Sequence, residues 1–361
     1  MSALGLLDTR MAPAAPTARE TEPFLADLLK HGFLPGQSRL YDRFGRPFEY
    51  LRISVTDLCN LRCVYCMPEA GVPWLPRDEI LSFEELVTVV EAAAACGVWK
   101  VRLTGGEPLV RTHIARLVER LAHIPGIRDL SITTNGVLLG GLARELARAG
   151  LRRINVSLDT LSETKFRRIT RRGNLSAVLA GIDRAQHEGL APVKINTVVM
   201  GGVNDDEVAD LAALSLDREL DVRFIEYMPL LESKDCAQGS GNFVFVPGHE
   251  TRRRIEERFG TLQPEEVGAG ARGPAELWRI RGATGRVGFI SSMSAPFCQR
   301  CDRLRLTATG ELRSCLLDGG AVDLKSVLRS GGSREMIVHA LARALWLKPE
   351  IHRNWEDVAG G

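Results

Sequence analysis

The chain has 361 residues, 45% hydrophobic and 25% charged, with 47 Lys and Arg against 45 Asp and Glu. That length and composition suit a globular protein with a sizeable core. A net charge of +2 leaves no global basic field for nucleic acid, so any anion site must come from local placement of Arg and Lys.

Residues 1–41 form an expected flexible extension, Ala- and Pro-rich around Ala12 to Ala18. Met1 to Arg10 lacks the basic start and apolar stretch of a signal peptide. No apolar run approaches the roughly 20 residues of a membrane helix. A cytoplasmic location without membrane or nucleic-acid contact is therefore expected.

From Leu51 a strand–helix rhythm repeats. Strands are predicted at Leu51–Thr56, Val98–Thr104, Leu130–Thr133, Arg153–Asp159, Pro192–Met200 and Asp221–Met228. Helices separate them. One starts at an N-cap, Ser82, with Glu85 completing a capping box. The others run at Thr112–Ala122, Gly141–Ala149, Leu161–Ile169, Leu175–Glu188 and Asn204–Leu214. Such alternation means parallel strands joined by crossovers. Six units are too few for the eight of a full barrel of about 250 residues. The expected fold is α/β, an incomplete (βα)6 TIM-like barrel over residues 42–245.

The strands alternate where buried parallel strands usually read as continuous apolar runs. Arg52, Ser54 and Thr56 share one face; Arg102 and Thr104, Ser131 and Thr133, Asn155, Ser157 and Asp159, then Lys194 and Asn196 continue it. The apolar face should pack on helices. The polar face should line a wet or ligand-filled lumen. After Val246 the rhythm changes: a helix at Gly248–Arg258, a Gly-, Pro- and Glu-rich stretch, and short strands at Trp278–Ile280 and Val287–Ile290. Residues 246–361 are read as a C-terminal domain.

Six of the eight cysteines fall in two clusters; Cys96 and Cys236 stand alone as expected spectators. Cys59, Cys63 and Cys66 follow the first strand, at the strand end where α/β active sites sit. A four-iron cluster wants four ligands, so three local thiolates leave one iron open. A closed zinc site prefers separated Cys pairs, and a ferredoxin would need a fourth cysteine. Cys298 and Cys301 are followed by Cys315, again without a close fourth thiolate. Spacing alone supports zinc equally here, with His249, His339 or His352 completing the site. Arg303 and Arg305 beside these thiolates are needed by an anionic substrate and not by a structural zinc.

The Cys-x3-Cys-x2-Cys segment, with Tyr65 just before its last cysteine, resembles the radical S-adenosylmethionine superfamily. Thr104-Gly105-Gly106-Glu107-Pro108 matches that superfamily's methionine-binding turn, with paired glycines allowing close approach to a ligand and Glu107 accepting from an ammonium group. With Gly45-Arg46-Pro47, the second triad, Arg303 and Arg305, and a terminal Gly360-Gly361, residues 42–361 resemble the GTP 3′,8-cyclase family of molybdenum-cofactor biosynthesis.

That resemblance implies the following roles. Cys59, Cys63 and Cys66 bind a [4Fe-4S] cluster that cleaves S-adenosylmethionine reductively. Tyr65, Gly106, Ser157 and Met228 contact S-adenosylmethionine. Cys298, Cys301 and Cys315 bind a second [4Fe-4S] cluster that meets the guanine base. Arg52, Arg102, Thr133, Lys194, Arg303 and Arg305 contact GTP, and Arg303 and Arg305 also serve the reaction. It further implies an external electron donor of flavodoxin or ferredoxin type and a homodimer. The next pathway enzyme would be cyclic pyranopterin monophosphate synthase. Rival readings are a peptide-modifying radical enzyme with an auxiliary cluster, or a zinc-structured or electron-transfer module.

Overall fold

The computed structural model describes residues 39–228, 243–265, 273–318 and 320–352. Most of the N-terminal extension, Cys236 and the Gly360-Gly361 tail lie outside these residues. Six parallel strands, β1 Tyr50–Ser54, β2 Lys100–Thr104, β3 Asp129–Thr134, β4 Arg153–Ser157, β5 Val193–Val199 and β6 Leu220–Glu226, lie side by side in chain order. The helices between them include α1 Phe83–Ala95, α2 Ile114–Ala122, α3 Leu139–Arg148, α4 Glu163–Thr170, α5 Leu175–His187 and α6 Val208–Ala213. This is the predicted (βα)6 unit. The Ser82–Glu85 capping box opens α1 with both reciprocal hydrogen bonds in place, a device worth about 1 kcal/mol.

Residues after 246 add to the same sheet at both edges. α7 Gly248–Phe259 precedes β7 Gln263–Pro264, β8 Glu276–Arg279 and β9 Arg286–Ile290, and β9 pairs parallel with β6. β10 Arg303–Leu306 pairs parallel with β1 at the opposite edge, followed by antiparallel β11 Glu311–Arg313 and β12 Ala321–Asp323. The order is β12-β11-β10-β1-β2-β3-β4-β5-β6-β9-β8-β7. α8 Lys325–Arg329 and α9 Arg334–Trp346 close the described chain. Among the described residues no helix is long and apolar enough to cross a membrane.

Four helix starts differ from expectation: Ile114 for Thr112, Leu139 for Gly141, Glu163 for Leu161 and Val208 for Asn204. His113 takes a left-handed conformation (φ 59°), so α2 begins at Ile114. Asn204 does not start a helix. Its buried amide donates to Asp159 O and Val198 O and accepts from Met200 N, which holds a turn until α6 opens at Val208.

The alternation sorts as predicted. Leu51, Ile53, Val101, Leu103, Leu130, Ile132, Ile154, Val156, Val193 and Ile195 are buried in one apolar cluster with the helices. Arg52, Arg102, Thr133, Ser157, Lys194, Arg303 and Arg305, on the other face, are only half-buried.

Candidate active site

The first cysteine loop leaves the C-terminal end of β1 and rests on the end of α4. Arg62 N donates to Thr170 O and Val64 N to Ile169 O, at 3.0 and 2.9 Å. The Arg171 guanidinium, just past α4, donates to Arg62 O and Met67 O, and the buried Arg62 guanidinium to Cys59 O and Leu61 O. Backbone geometry thus presents the three cysteines, rather than the contacts of the cysteine side chains themselves. Leu61 N lies 3.4 Å and Asn135 Nδ2 3.9 Å from Cys59 Sγ, donors suited to a thiolate. Burial, then Cys66 and Asp159, push the Cys63 thiol well up. Burial likewise raises Cys59.

The Gly105-Gly106 turn also packs closely against the chain itself. A Cβ on Gly106 would stand 2.2 Å from Leu58 O and 2.6 Å from Asp57 O, and one on Gly105 (φ 151°) 2.5 Å from Thr56 O. The close approach the glycines permit is to the cysteine loop itself. Glu107 is 1% exposed, and its oxygens already accept from Leu109 N, Thr134 Oγ1 and Asn135 N. The expected ammonium acceptor is also a buried tie between the ends of β2 and β3, and burial raises it to about 7.

Cys63, Tyr65 and Ser157 line one cavity with Leu61, Asn135, Asp159 and Thr160. Tyr65 donates to Asp159 Oδ2 at 2.7 Å, and burial raises Asp159 to about 6. Gly106 and Met228, the latter just past β6, are not among the lining residues. Asp159 and Asn135 were missed as functional residues. The polar strand face gave Asp159 a place, but only the fold brings Asn135 to the cysteines.

Across the lumen face the register sets cations side by side. Arg305, Arg52 and Arg102 are direct neighbours on β10, β1 and β2, continued by Ser131. Thr133, Asn155 and Lys194 form a second row on β3, β4 and β5, and Arg223 on β6 pairs with Asn196. None of Arg52, Arg102, Lys194, Arg303 and Arg305 is ion-paired with a carboxylate among the described residues, and Arg303 meets the Cys301 thiol. Arg52 Nε and Thr133 Oγ1 are buried without a hydrogen-bond partner. Burial, then Arg223, lower Lys194 to about 6; burial, then Arg303, lower Arg305 to about 10. Like charges on adjacent strands repel, and desolvated cations need a partner. The lumen fits a multiply charged anion. Arg223, missed from the sequence, belongs to this set through its place on β6; it is paired with Asp221.

The second triad gathers at the opposite end of β10. Cys298 lies in the turn Cys298–Arg300, and Cys301 just precedes β10. The antiparallel return of β11, with Arg305 opposite Arg313, brings Cys315 back to this end of β10, where it acts electrostatically on Cys298. Burial would raise the Cys301 thiol, but Arg303 and Lys348 overcome it and hold it at about 6. Arg46 donates to Cys298 O, Glu350 O and Pro349 O, a role in the Gly45-Arg46-Pro47 segment that the sequence did not disclose. Of the candidate zinc ligands, His249 and His339 are exposed, and His352 Nε2 contacts Ser292 O. Among the described residues no group of three or more His, Cys, Asp or Glu side chains surrounds a single metal-ion position.

Residues 53–214 match the Radical SAM superfamily, and residues 220–354 match the family described as Molybdenum Cofactor Synthesis C. A GTP 3′,8-cyclase of Pelotomaculum thermopropionicum is 51% identical over 88% of this chain and 97% of its own length. Those of Thermodesulfovibrio yellowstonii and Moorella thermoacetica are 49% and 48% identical over 86% and 87% of this chain, and 94% and 95% of their own lengths. The crystal structure of Streptococcus suis SuiB bound to S-adenosylmethionine has a TM-score of 0.53 at 16% identity, over 82% of this chain and 64% of that one, a likeness of fold. The chain belongs to the GTP 3′,8-cyclase family within the radical S-adenosylmethionine superfamily.

Proposed function

We propose that this chain is a lyase that cyclises GTP to (8S)-3′,8-cyclo-7,8-dihydroguanosine 5′-triphosphate, the first step of molybdenum-cofactor biosynthesis. The observation that carries the substrate is the row Arg305, Arg52, Arg102 on three adjacent strands, without carboxylate partners among the described residues. A cluster on Cys59, Cys63 and Cys66 would supply the electron that cleaves S-adenosylmethionine to the radical abstracting the ribose 3′ hydrogen.

The chain's own residues do the rest. Tyr65 and Ser157, with Gly106 and Met228 nearby, hold S-adenosylmethionine at the C-terminal mouth of the barrel. Arg52, Arg102, Thr133, Lys194 and Arg305 hold the nucleotide in the lumen through charge-assisted hydrogen bonds. Cys298, Cys301 and Cys315 hold a second four-iron cluster at the other mouth, with Arg303 between it and the lumen. The division of labour follows residues 42–245 and 246–361. The five strand residues of β1, at about 3.3 Å each, set the mouths roughly 16 Å apart before the loops are counted, enough for a nucleotide to bridge. Fixing both reactants this way converts an encounter into a positioned reaction.

An external one-electron donor of flavodoxin or ferredoxin type supplies the electrons, in the reducing cytoplasm consistent with seven free described cysteines. A homodimer, with product passing to cyclic pyranopterin monophosphate synthase, completes the reading. The test is an anaerobic assay with GTP, S-adenosylmethionine and dithionite. Formation of 5′-deoxyadenosine and the cyclised nucleotide is expected, with about eight irons per chain. Cleavage of S-adenosylmethionine that GTP does not affect, with GTP recovered unchanged, sinks the reading.

A further inference from the structure

Lys348 is 3% exposed just past the end of α9. Fully buried lysines are rare unless paired. This one has no carboxylate partner among the described residues: its Nζ donates to Arg303 O at 2.5 Å. Besides that carbonyl, the groups facing it are Cys301, Asp302, Arg46 and Arg303. Two of those are themselves cations, and of the two acidic groups it is the Cys301 thiolate that this ammonium hydrogen-bonds.

The backbone around Lys348 is fixed on both sides. Before it, Leu347 O accepts from Ser314 Oγ at 3.3 Å, and the Leu347 side chain packs against Gly320. After it, Pro349 O and Glu350 O accept from the Arg46 guanidinium, which also grips Cys298 O. His352 N–H hydrogen-bonds to Cys298. Residues 347–352 therefore wrap the second triad, and Lys348 cannot swing out to water without breaking that wrap.

We propose that Lys348 is a positioning residue for the second cluster, its buried ammonium raising that cluster's reduction potential through Cys301. This rests on the second triad holding a four-iron cluster. A fixed positive charge beside a thiolate ligand favours the more negative, reduced state of the cluster. Lys348 touches neither the lumen row Arg52, Arg102 and Lys194 nor the first triad, so its effect is confined to one mouth of the barrel.

The experiment is a redox titration of the full-length, anaerobically reconstituted protein, following both clusters by electron paramagnetic resonance, with Lys348→Met and Lys348→Arg. The Met variant is expected to shift the second cluster to a more negative midpoint, leave the first unmoved and retain its iron. The Arg variant should restore most of the shift. An unchanged midpoint in a fully loaded Met variant overturns the proposal, as does an equal shift in the Arg variant. Loss of about four irons in the Met variant that the Arg variant restores supports a charge requirement; loss in both overturns it, because shape then matters and charge does not. Wild-type protein with about four irons overturns the two-cluster reading itself.

Discussion

The two mouths of the barrel each present three cysteines, and they are built in opposite ways. At the C-terminal mouth one continuous loop carries Cys59, Cys63 and Cys66, set by backbone hydrogen bonds to α4. Carboxylates stand beside it: burial with Asp159 raises Cys63, and Glu107 adds to the rise in Cys59. At the other mouth the triad is assembled from a turn, a hairpin return and the segment after α9. Cations stand beside that one, holding Cys301 at about 6. The same ligand count is tuned towards different neighbours. In the proposed function the triad of Cys59, Cys63 and Cys66 would take up an electron beside a sulfonium, whose positive charge suits nearby carboxylates. The opposite triad borders a cationic lumen suited to a polyanion.

The sharpest way to break this comparison is to remove one cysteine from each mouth. Cys63→Ala should abolish 5′-deoxyadenosine formation altogether. Cys301→Ala should abolish cyclisation yet leave slow cleavage of S-adenosylmethionine, measured as 5′-deoxyadenosine without cyclised nucleotide. Equal loss of both products in both variants would mean that the mouths do not divide the work.

Glycines sharpen it next. A Cβ on Gly106 meets the backbone oxygens Leu58 O and Asp57 O, which cannot rotate away. Gly106→Ala should cost roughly 3 kcal/mol in chemical denaturation and disable the first cluster. Gly320 sits at the other mouth, and its Cβ would meet the Leu347 side chain at 2.5 Å. The outer atoms of that side chain can rotate but its Cβ at 2.9 Å cannot, so Gly320→Ala should cost about 2 kcal/mol. Reversal of this order would show that the first loop is the more adaptable one.

The same contrast explains what was legible in the sequence. A local loop writes its chemistry as spacing, and the first triad could be read from eight residues. The lumen was legible because period-two alternation survives in a single strand, so Arg52, Arg102, Thr133 and Lys194 declared their face. Pairings between distant segments leave no such mark. Neither Arg46 on Cys298 O nor Lys348 beside Cys301 follows from any local pattern. The joining of β9 and β10 to opposite edges of one sheet is likewise fixed by tertiary pairing. For Gly105-Gly106 and Glu107 the contact with the cysteine loop and the buried hydrogen bonds were not foreseen, because close approach to a ligand and close approach to another loop demand the same residues.

Between the mouths, Lys194 tests the lumen. Its ammonium is lowered to about 6 by burial and then by Arg223, so near pH 8 most of it is neutral before substrate arrives. An anion raises that pKa, so binding takes up a proton, and affinity must fall as pH rises above about 6 through the raised value. Lys194→Met should weaken GTP binding about 10–100-fold, the range of a charge-assisted hydrogen bond. It should also remove this part of the pH slope, read by calorimetry at pH 6.5 and 8. The folding sign is separate. The unfolded chain binds this proton up to its ordinary pKa and the folded chain does not, so between about 6 and 10 stability rises with pH. The apo Met variant should therefore melt higher than wild type at pH 7 and lose that rise.

The smallest expected effect concerns the hydrogen bonds that reach the thiolates. At the C-terminal mouth a side chain supplies one: Asn135 Nδ2 donates to Asn60 Oδ1 at 2.7 Å and lies 3.9 Å from Cys59 Sγ. At the other mouth the donor to Cys298 is the backbone N–H of His352, which no side-chain substitution deletes. Asn135→Ala should therefore reach the first cluster alone. Stability should drop by about 1 kcal/mol, the usual net worth of one hydrogen bond. Activity should fall a few-fold, by our estimate from that same size of effect. Loss of a donor beside a thiolate makes reduction harder, so the first cluster's midpoint should move to a more negative value while the second holds. A midpoint that stays put would assign Asn135 to holding Asn60 and the loop, with the backbone N–H of Leu61 as the donor that tunes Cys59.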